Sequence, residues 1–243
     1  MTRKAYGIVN ALKSHIDTNT GKPKYVCNVT TLSHYQKEDR GQYFTFIEDD
    51  HEGCNLDAFK EDFAVEKSIN APSSCDALFL WKDSADNADE KTRLRSDYSE
   101  ESLLFVEFKH APIFETRNGK IDFLHAGQNG GIDSGCYEAS IQKKLEDSCI
   151  ILMQMLEKDK EHRLQFKDCK RMNVAFIVYN SSEERKRERR VTQRIEQVNQ
   201  GMRGVQLNQK KVFRGLENYL YRKVRLMPES VFKELLKTGM IYI

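Results

Sequence analysis

Two short apolar runs, Cys75–Trp81 and Leu103–Lys109, constrain the fold most strongly because each carries charge inside otherwise hydrophobic sequence. Both have the length and the aromatic and branched composition of β-strands, and turn-forming residues 72–74 precede the first. Strand side chains alternate between the two faces of a sheet, so Glu107 and Lys109 share one face. A carboxylate and an ammonium group therefore lie side by side on the second strand.

An antiparallel hairpin through residues 82–102 would bring the start of the first run against the end of the second. Asp76 then meets Glu107 and Lys109. Two carboxylates and a lysine at one end of a sheet can bind a hard divalent cation and hold charge near a phosphate. The alternative is an exposed ion pair with Asp76 as a turn residue, since such pairs are common and contribute little stability.

The chain has 243 residues and no apolar run near the roughly 20 residues that a membrane helix needs. Its first residues lack the apolar segment of a signal peptide. We therefore expect a cytoplasmic protein without a membrane partner. The six cysteines are scattered without C-x-x-C spacing, which favours reduced structural thiols. His51 and Cys54 have ligand-like spacing, but no second pair follows, so a zinc site is not expected.

Charge is distributed unevenly although the net charge is only +2. Residues 158–243 hold 21 Lys and Arg against 10 Asp and Glu, whereas the remaining residues hold 18 against 27. This asymmetry favours a basic surface that binds nucleic acid and an acidic half that concentrates a metal site. The alternative is an acidic face and a basic face that bind each other or a second subunit.

Periodicity and turn residues predict the remaining elements. The expected helices are 5–16, 55–69, 137–156, 183–199 and 231–237; the expected strands are 25–32 and 42–48, paired as a hairpin, and 172–179. The densely charged insertion 82–101 is expected to be a loop. The glycine-rich stretch 127–135 is expected to be a flexible loop, with a phosphate-binding loop as the alternative.

Two of these helices carry candidate site residues. At about 100° per residue, Glu66 falls about 20° from Phe59 around the helix 55–69, so we expect Glu66 to project toward the apolar side. Gln142 and Lys144 lie in the first turns of the helix 137–156, near the proposed site.

The order of these features resembles the PD-(D/E)xK nuclease superfamily. Asp76 opens one core strand, Glu107-Phe-Lys109 ends the next, a helix with Gln142 and Lys144 follows, and an apolar strand closes the core at 172–179. The match covers about residues 55–180. Cys75 stands where the family name has proline. A second Glu-x-Lys, Glu184–Lys186, lies in a charged tract. Only the first copy, Glu107–Lys109, is embedded in an apolar strand, and this distinguishes it.

The resemblance implies an α/β fold with a restriction-endonuclease-like αβββαβ core, a mixed central sheet flanked by helices, an N-terminal hairpin and a C-terminal helical extension. The nuclease-like domain would span residues 1–182, and a basic helical extension, 183–243, would pack on it.

It also implies roles for individual residues. Asp76, Glu107 and the Phe108 carbonyl would hold Mg²⁺, with Mn²⁺ as a substitute, and Glu66 would add a ligand. Lys109 would orient the attacking water or stabilise the transition state. Gln142, or alternatively Lys144, would position the substrate or the water.

The sequence thus predicts a Mg²⁺-dependent endonuclease acting on DNA rather than RNA, as a homodimer or in a larger protein complex. Bacterial or phage defence is the setting that this fold analogy suggests. One alternative is a catalytically inactive, nuclease-like module for binding or assembly in a nucleic-acid-processing complex. Another is a binding protein of unrelated architecture whose basic C-terminal third contacts acidic partners.

Overall fold

A computed structural model of the chain describes residues 2–36, 43–82, 101–110, 114–117, 120–123, 137–180, 213, 215–217 and 219–243. The helices in these ranges are α1 (Thr2–Lys13), α2 (Val29–Leu32), α3 (Leu56–Lys67), α4 (Tyr137–Met155), α5 (Phe166–Met172) and α6 (Glu229–Lys237). The strands are β1 (Val26–Asn28), β2 (His34–Gln36), β3 (Tyr43–Thr45), β4 (Glu52–Asn55), β5 (Ala77–Lys82), β6 (Glu101–Lys109), β7 (Phe114–Arg117), β8 (Lys120–Phe123), β9 (Asn173–Tyr179), β10 (Lys223–Pro228) and β11 (Ile241–Tyr242).

Seven strands form one mixed central sheet, in the order β1-β4-β5-β6-β9-β10, and β11 pairs with the end of β5. β5 and β6 are antiparallel, with Ala77 opposite Val106. β6, β9 and β10 run parallel to one another. Helices pack on the sheet, so the predicted α/β class with a mixed central sheet flanked by helices is confirmed.

Strand alternation divides the core into two layers. Leu103 and Phe105 of β6 pack with residues of α1, α3, α4 and α5 on one face. Leu104 and Val106 pack with residues of α2 and α6 on the other face. All seven residues of β9 are buried, because this strand lies between β6 and β10 and is covered on both faces. Glu107 alternates with the first set, so its side chain lies in the layer that contains α4.

The predicted hairpin of residues 25–32 with 42–48 is wrong. β1 ends at Asn28, and residues 29–32 form α2. The Asn28 side chain accepts the Thr31 N–H at 2.9 Å and so begins the helix, as asparagine does at many N-caps. β1 pairs with β4, while β3 forms its hairpin with β2.

Three helices predicted from periodicity are confirmed with shifted ends. Segments 55–69 and 137–156 correspond to α3 and α4, and segment 5–16 corresponds to α1. Asn55 caps α3 by accepting the Ala58 N–H at 3.0 Å. Within the described ranges, no helix is both long and apolar enough to cross a membrane.

The C-terminal residues complete the central sheet. β10 lies beside β9, and β11 pairs with β5 through Ile241 opposite Trp81. The predicted helix 231–237 is confirmed within α6, but the extension is not purely helical, because β10 and β11 belong to the sheet. The body of the predicted loop at 83–100, the glycine-rich stretch 127–135 and the predicted helix 183–199 lie outside the described residues.

β4 needs a glycine at position 53 because a side chain does not fit there. A Cβ on Gly53 would lie 2.5 Å from the Phe79 ring and 2.8 Å from the Leu32 side chain. We expect Gly53→Ala to lower the free energy of unfolding by about 1–3 kcal/mol, the usual cost of overpacking a core. Urea denaturation would measure the loss. Gly215→Ala is the matched control, since nothing lies within 4 Å of its Cβ position; equal stability of the two variants would contradict this packing.

Candidate metal centre

Asp76 and Glu107 come together where β5 begins and β6 ends. β5 starts at Ala77, opposite Val106, so Asp76 immediately precedes the strand. The Asp76 N–H donates to the Val106 carbonyl at 3.0 Å, which keeps Asp76 in line with β5. Alternation places Asp76 on the same face as Leu78, the face that Glu107 also occupies. The predicted antiparallel pairing is confirmed, and it brings both acids to one end of the sheet.

The Asp76 carboxylate is bound to the backbone of β6. Its Oδ2 accepts the Phe108 N–H at 2.6 Å, and its side chain is 18% exposed. The N–H and C=O of one strand residue point to the same edge. The Phe108 carbonyl is therefore directed to the edge beside Asp76, as a role in cation binding requires.

Glu107 is a buried carboxylate with two lysines on one of its oxygens. The side chain is 1% exposed, and its Oε1 lies 2.6 Å from Lys109 Nζ and 2.7 Å from Lys144 Nζ. Its Oε2 is buried and has no hydrogen-bond partner among the described residues. Buried polar atoms are nearly always satisfied, because desolvation without a partner is costly. This oxygen is therefore the strongest indication of a ligand in the described structure.

Lys144 of α4 connects the two acids. Its Nζ contacts Glu107 and lies 3.9 Å from Asp76 Oδ1. Burial by itself would lower the pKa of Lys144, but the Glu107 and Asp76 carboxylates raise it above the ordinary value. Lys144 therefore remains positively charged at neutral pH and acts as a fixed cation.

The proximity of the acids changes the protonation of Asp76. Burial, followed by repulsion from Glu107, raises the pKa of Asp76 from 3.8 to about 8, against the opposing effects of Lys144 and the Phe108 N–H. A second negative charge is thus unfavourable here when no further cation is present. A divalent cation would supply the missing charge and release the proton.

The available donors suit a hard cation that keeps much of its water. Glu107 Oε2, the Asp76 carboxylate and the Phe108 carbonyl are all oxygen atoms, and Mg²⁺ is often held by one or two carboxylates plus water. The described part of the chain contains no group of three or more His, Cys, Asp or Glu that could hold a metal. The residues therefore fit a hydrated Mg²⁺ better than a metal held by protein ligands alone.

Glu66 does not project toward the apolar side as predicted. Its side chain is 50% exposed and pairs with Lys67 at 3.1 Å. Val65 and Ile69 beside it are also exposed, at 80% and 53%. The residues of α3 after the buried Ala64 are therefore exposed to solvent, and the direction of Glu66 around the helix axis does not bring it to the core.

The acid of α3 that lies near the centre is Asp57, in the first turn, which the sequence pattern did not single out. Its Oδ1 accepts a hydrogen bond from the Ser74 hydroxyl at 2.6 Å, and its charge contributes to the raised pKa of Asp76. The preceding residue, Leu56, donates its N–H to the Asp76 carbonyl at 3.2 Å. An acidic side chain in the first turn of a helix that begins directly after a strand was the available signal.

On α4, Lys144 is the residue that contacts the acids. Gln142 is half-buried and lies two residues earlier, which puts the two side chains about 160° apart around the helix. The structure therefore directs Gln142 to a different side of α4 from Lys144. Both residues were candidates for positioning the substrate or the water, and the position of α4 over the sheet distinguishes them.

Removing Lys144 should destabilise the protein in the absence of metal. Lys144→Gln leaves Asp76 and Glu107 with less positive charge, so we expect the free energy of unfolding to fall by about 1–3 kcal/mol. Urea denaturation in chelator at pH 9 would measure this. Lys143→Gln changes an exposed neighbour on the same helix and should stay within about 0.5 kcal/mol of wild type. Equal losses in both variants would contradict the ion cluster.

The raised pKa of Asp76 also predicts how stability depends on pH. Between pH 4 and about 8 the folded state keeps a proton on Asp76 that the unfolded state has lost. The contribution of Asp76 to stability in chelator should therefore decrease as pH rises through this range. Asp76→Asn should flatten that decrease, whereas Asp50→Asn, at an exposed position, should not. An unchanged pH profile in Asp76→Asn, measured by denaturation at several pH values, would contradict the shift.

Comparisons of the chain with models of known protein families, with curated protein sequences and with solved structures found no match. The resemblance to the PD-(D/E)xK nucleases therefore remains a prediction from the residues and from the order of the elements.

Proposed function

We propose that this protein is a Mg²⁺-dependent phosphodiesterase that cleaves nucleic acid, DNA rather than RNA. The observation that carries the proposal is the buried Oε2 of Glu107, which has no partner among the residues that the structure describes and lies beside the Asp76 carboxylate and two lysines. A buried carboxylate oxygen that has no hydrogen-bond partner within the described ranges is available to coordinate a cation. Lysines beside it suit a substrate that is itself an anion.

The arrangement of elements supports the same proposal. Helix α3, the antiparallel pair β5 and β6, helix α4 and the parallel strand β9 occur in the chain order of the resemblance, with β7, β8 and α5 between them. Among the described residues, two strands of the central sheet lie between α3 and α4, where the αβββαβ core has three. We propose that they constitute a restriction-endonuclease-like core. The strands β10 and β11 would then be additions to that core.

The charges at the centre favour a phosphodiester. With Asp76 protonated, Glu107 and the two ammonium groups leave the metal-free site weakly positive, and a divalent cation that releases the proton would make it more positive. Glu107, Asp76 and the Phe108 carbonyl would hold Mg²⁺, which when bound lowers the pKa of a coordinated water and neutralises charge on the phosphate. A negatively charged backbone would therefore be attracted more strongly after the cation has bound.

The two lysines would have different tasks. Lys144 holds Glu107 Oε1 and keeps its charge, because both acids raise its pKa. Lys109 also contacts Oε1, but it lies at the end of β6, on the strand that carries Glu107, and its side chain is 18% exposed against 27% for Lys144. Lys109 would orient the attacking water or stabilise the negative charge that develops on the phosphate.

A second candidate function is a non-catalytic binding or assembly module with the same fold. It is favoured by the pairing of both lysines with one carboxylate oxygen, which balances charge without any metal. In that case the four charges would stabilise the end of the sheet, and nucleic acid or protein would bind elsewhere.

Cleavage assays separate the two candidates. Purified protein would be incubated with plasmid, single-stranded DNA and RNA, with Mg²⁺ or Mn²⁺ and then with chelator. We expect metal-dependent cleavage, reduced at least about 100-fold in Lys109→Ala because a group that stabilises the transition state is lost. Lys82→Ala, an exposed lysine at the other end of β5, should cleave like wild type.

Three results would contradict the proposal. Cleavage that persists in chelator would exclude the metal mechanism. Equal activity of Lys109→Ala and Lys82→Ala would exclude the assigned site. Absence of both cleavage and Mn²⁺ binding would favour the non-catalytic module.

A further inference from the structure

The segment that leads into β5 is held by side chains of α4. The Ser73 N–H donates to Asp147 Oδ2 at 3.1 Å, and the Cys75 N–H donates to Ser148 Oγ at 2.7 Å. These amides precede β5, so the sheet does not supply their acceptors. Two consecutive residues of one helix thus bind alternate amides immediately before Asp76.

Ser148 also connects this segment to the turn of α4 that carries Lys144. Its side chain is buried, and its hydroxyl donates to the Lys144 carbonyl at 2.7 Å. A single hydroxyl therefore links the amide of Cys75, next to Asp76, to the helical turn that carries Lys144. The acid and the lysine that faces it are fixed relative to each other through one side chain.

We propose that Asp147 and Ser148 are positioning residues that hold the Asp76 carboxylate in place for binding a divalent cation. This inference rests on the proposed function for the cation. Asp76 immediately precedes β5, so its position depends both on its own N–H bond to the Val106 carbonyl and on how the preceding residues are held. Mutation of residues that orient a metal ligand typically weakens metal affinity by about 10- to 100-fold.

Hydrogen exchange tests the positioning without any metal. The Phe108 N–H donates to the Asp76 carboxylate, so its exchange rate reports whether that carboxylate stays in place. In Ser148→Ala, measured by NMR in chelator, we expect faster exchange at Phe108 and unchanged exchange at Phe105 in the buried part of β6. Ser140→Ala, at an exposed position of α4, is the control and should leave both amides unchanged. Unchanged protection of Phe108 in Ser148→Ala would overturn the proposal.

Mn²⁺ binding, measured by calorimetry, tests the consequence for the cation. We expect Ser148→Ala and Asp147→Ala to weaken binding about 10-fold or more, in the range seen for residues that orient metal ligands. Ser148→Thr and Asp147→Asn keep a hydrogen-bond acceptor and should bind within about 3-fold of wild type. The Asp147 pair provides a second test should Ser148→Ala fail to fold.

The outcomes distinguish this proposal from the proposed function. Equal weakening in Asp147→Asn and Asp147→Ala would mean that charge, and not positioning, determines affinity, and would overturn the inference. If wild-type protein binds no Mn²⁺, the proposed function is wrong and the claim about cation binding fails with it. The Phe108 exchange rates would then still decide whether Ser148 holds Asp76.

Discussion

The buried carboxylate of Glu107 determines how this end of the molecule is built. A charged acid that is 1% exposed is stable only with compensating charge, because an unpaired buried ion costs far more than a fold can tolerate. One cation, Lys109, comes from the same strand two residues later. The other, Lys144, comes from α4, so this helix must lie across the end of β6 for the acid to be accommodated.

The same arrangement explains why the centre is both stable and incomplete. Lys109 and Lys144 share one oxygen of Glu107, while the other has no partner among the described residues. Burial, followed by repulsion from the nearby Glu107, raises the pKa of Asp76. The cluster thus has enough positive charge to fold, while an unused oxygen and an acid with a raised pKa leave a place for one more cation. A binding module would need only the compensating positive charge. A metal-dependent enzyme would also use the oxygen of Glu107 and the Asp76 carboxylate to bind the cation.

Three strands of the central sheet, β5, β6 and β9, could be predicted from their apolar sequence, and so could the antiparallel pairing of β5 with β6. The short elements could not be predicted in the same way. α2 depends on the Asn28 cap, and β11 has two residues whose pairing with β5 exists only after the sheet has formed. Glu66 was misplaced because a helical pattern gives a direction around the axis and says nothing about where the helix leaves the core.

The shared face of Glu107 and Lys109 follows from the order of residues alone, because strand side chains alternate with a period of two whatever the surroundings. It also indicated that Asp76 would meet them if the two runs paired. The packing of the helices on the sheet was needed to show that Lys144 contacts both acids and that Asp57 and Ser148 hold the segment before Asp76. It was also needed to show that one oxygen of Glu107 has no partner within the described ranges. These contacts join elements far apart in the chain, and their geometry depends on how helices pack on the sheet, which no local pattern of residues specifies.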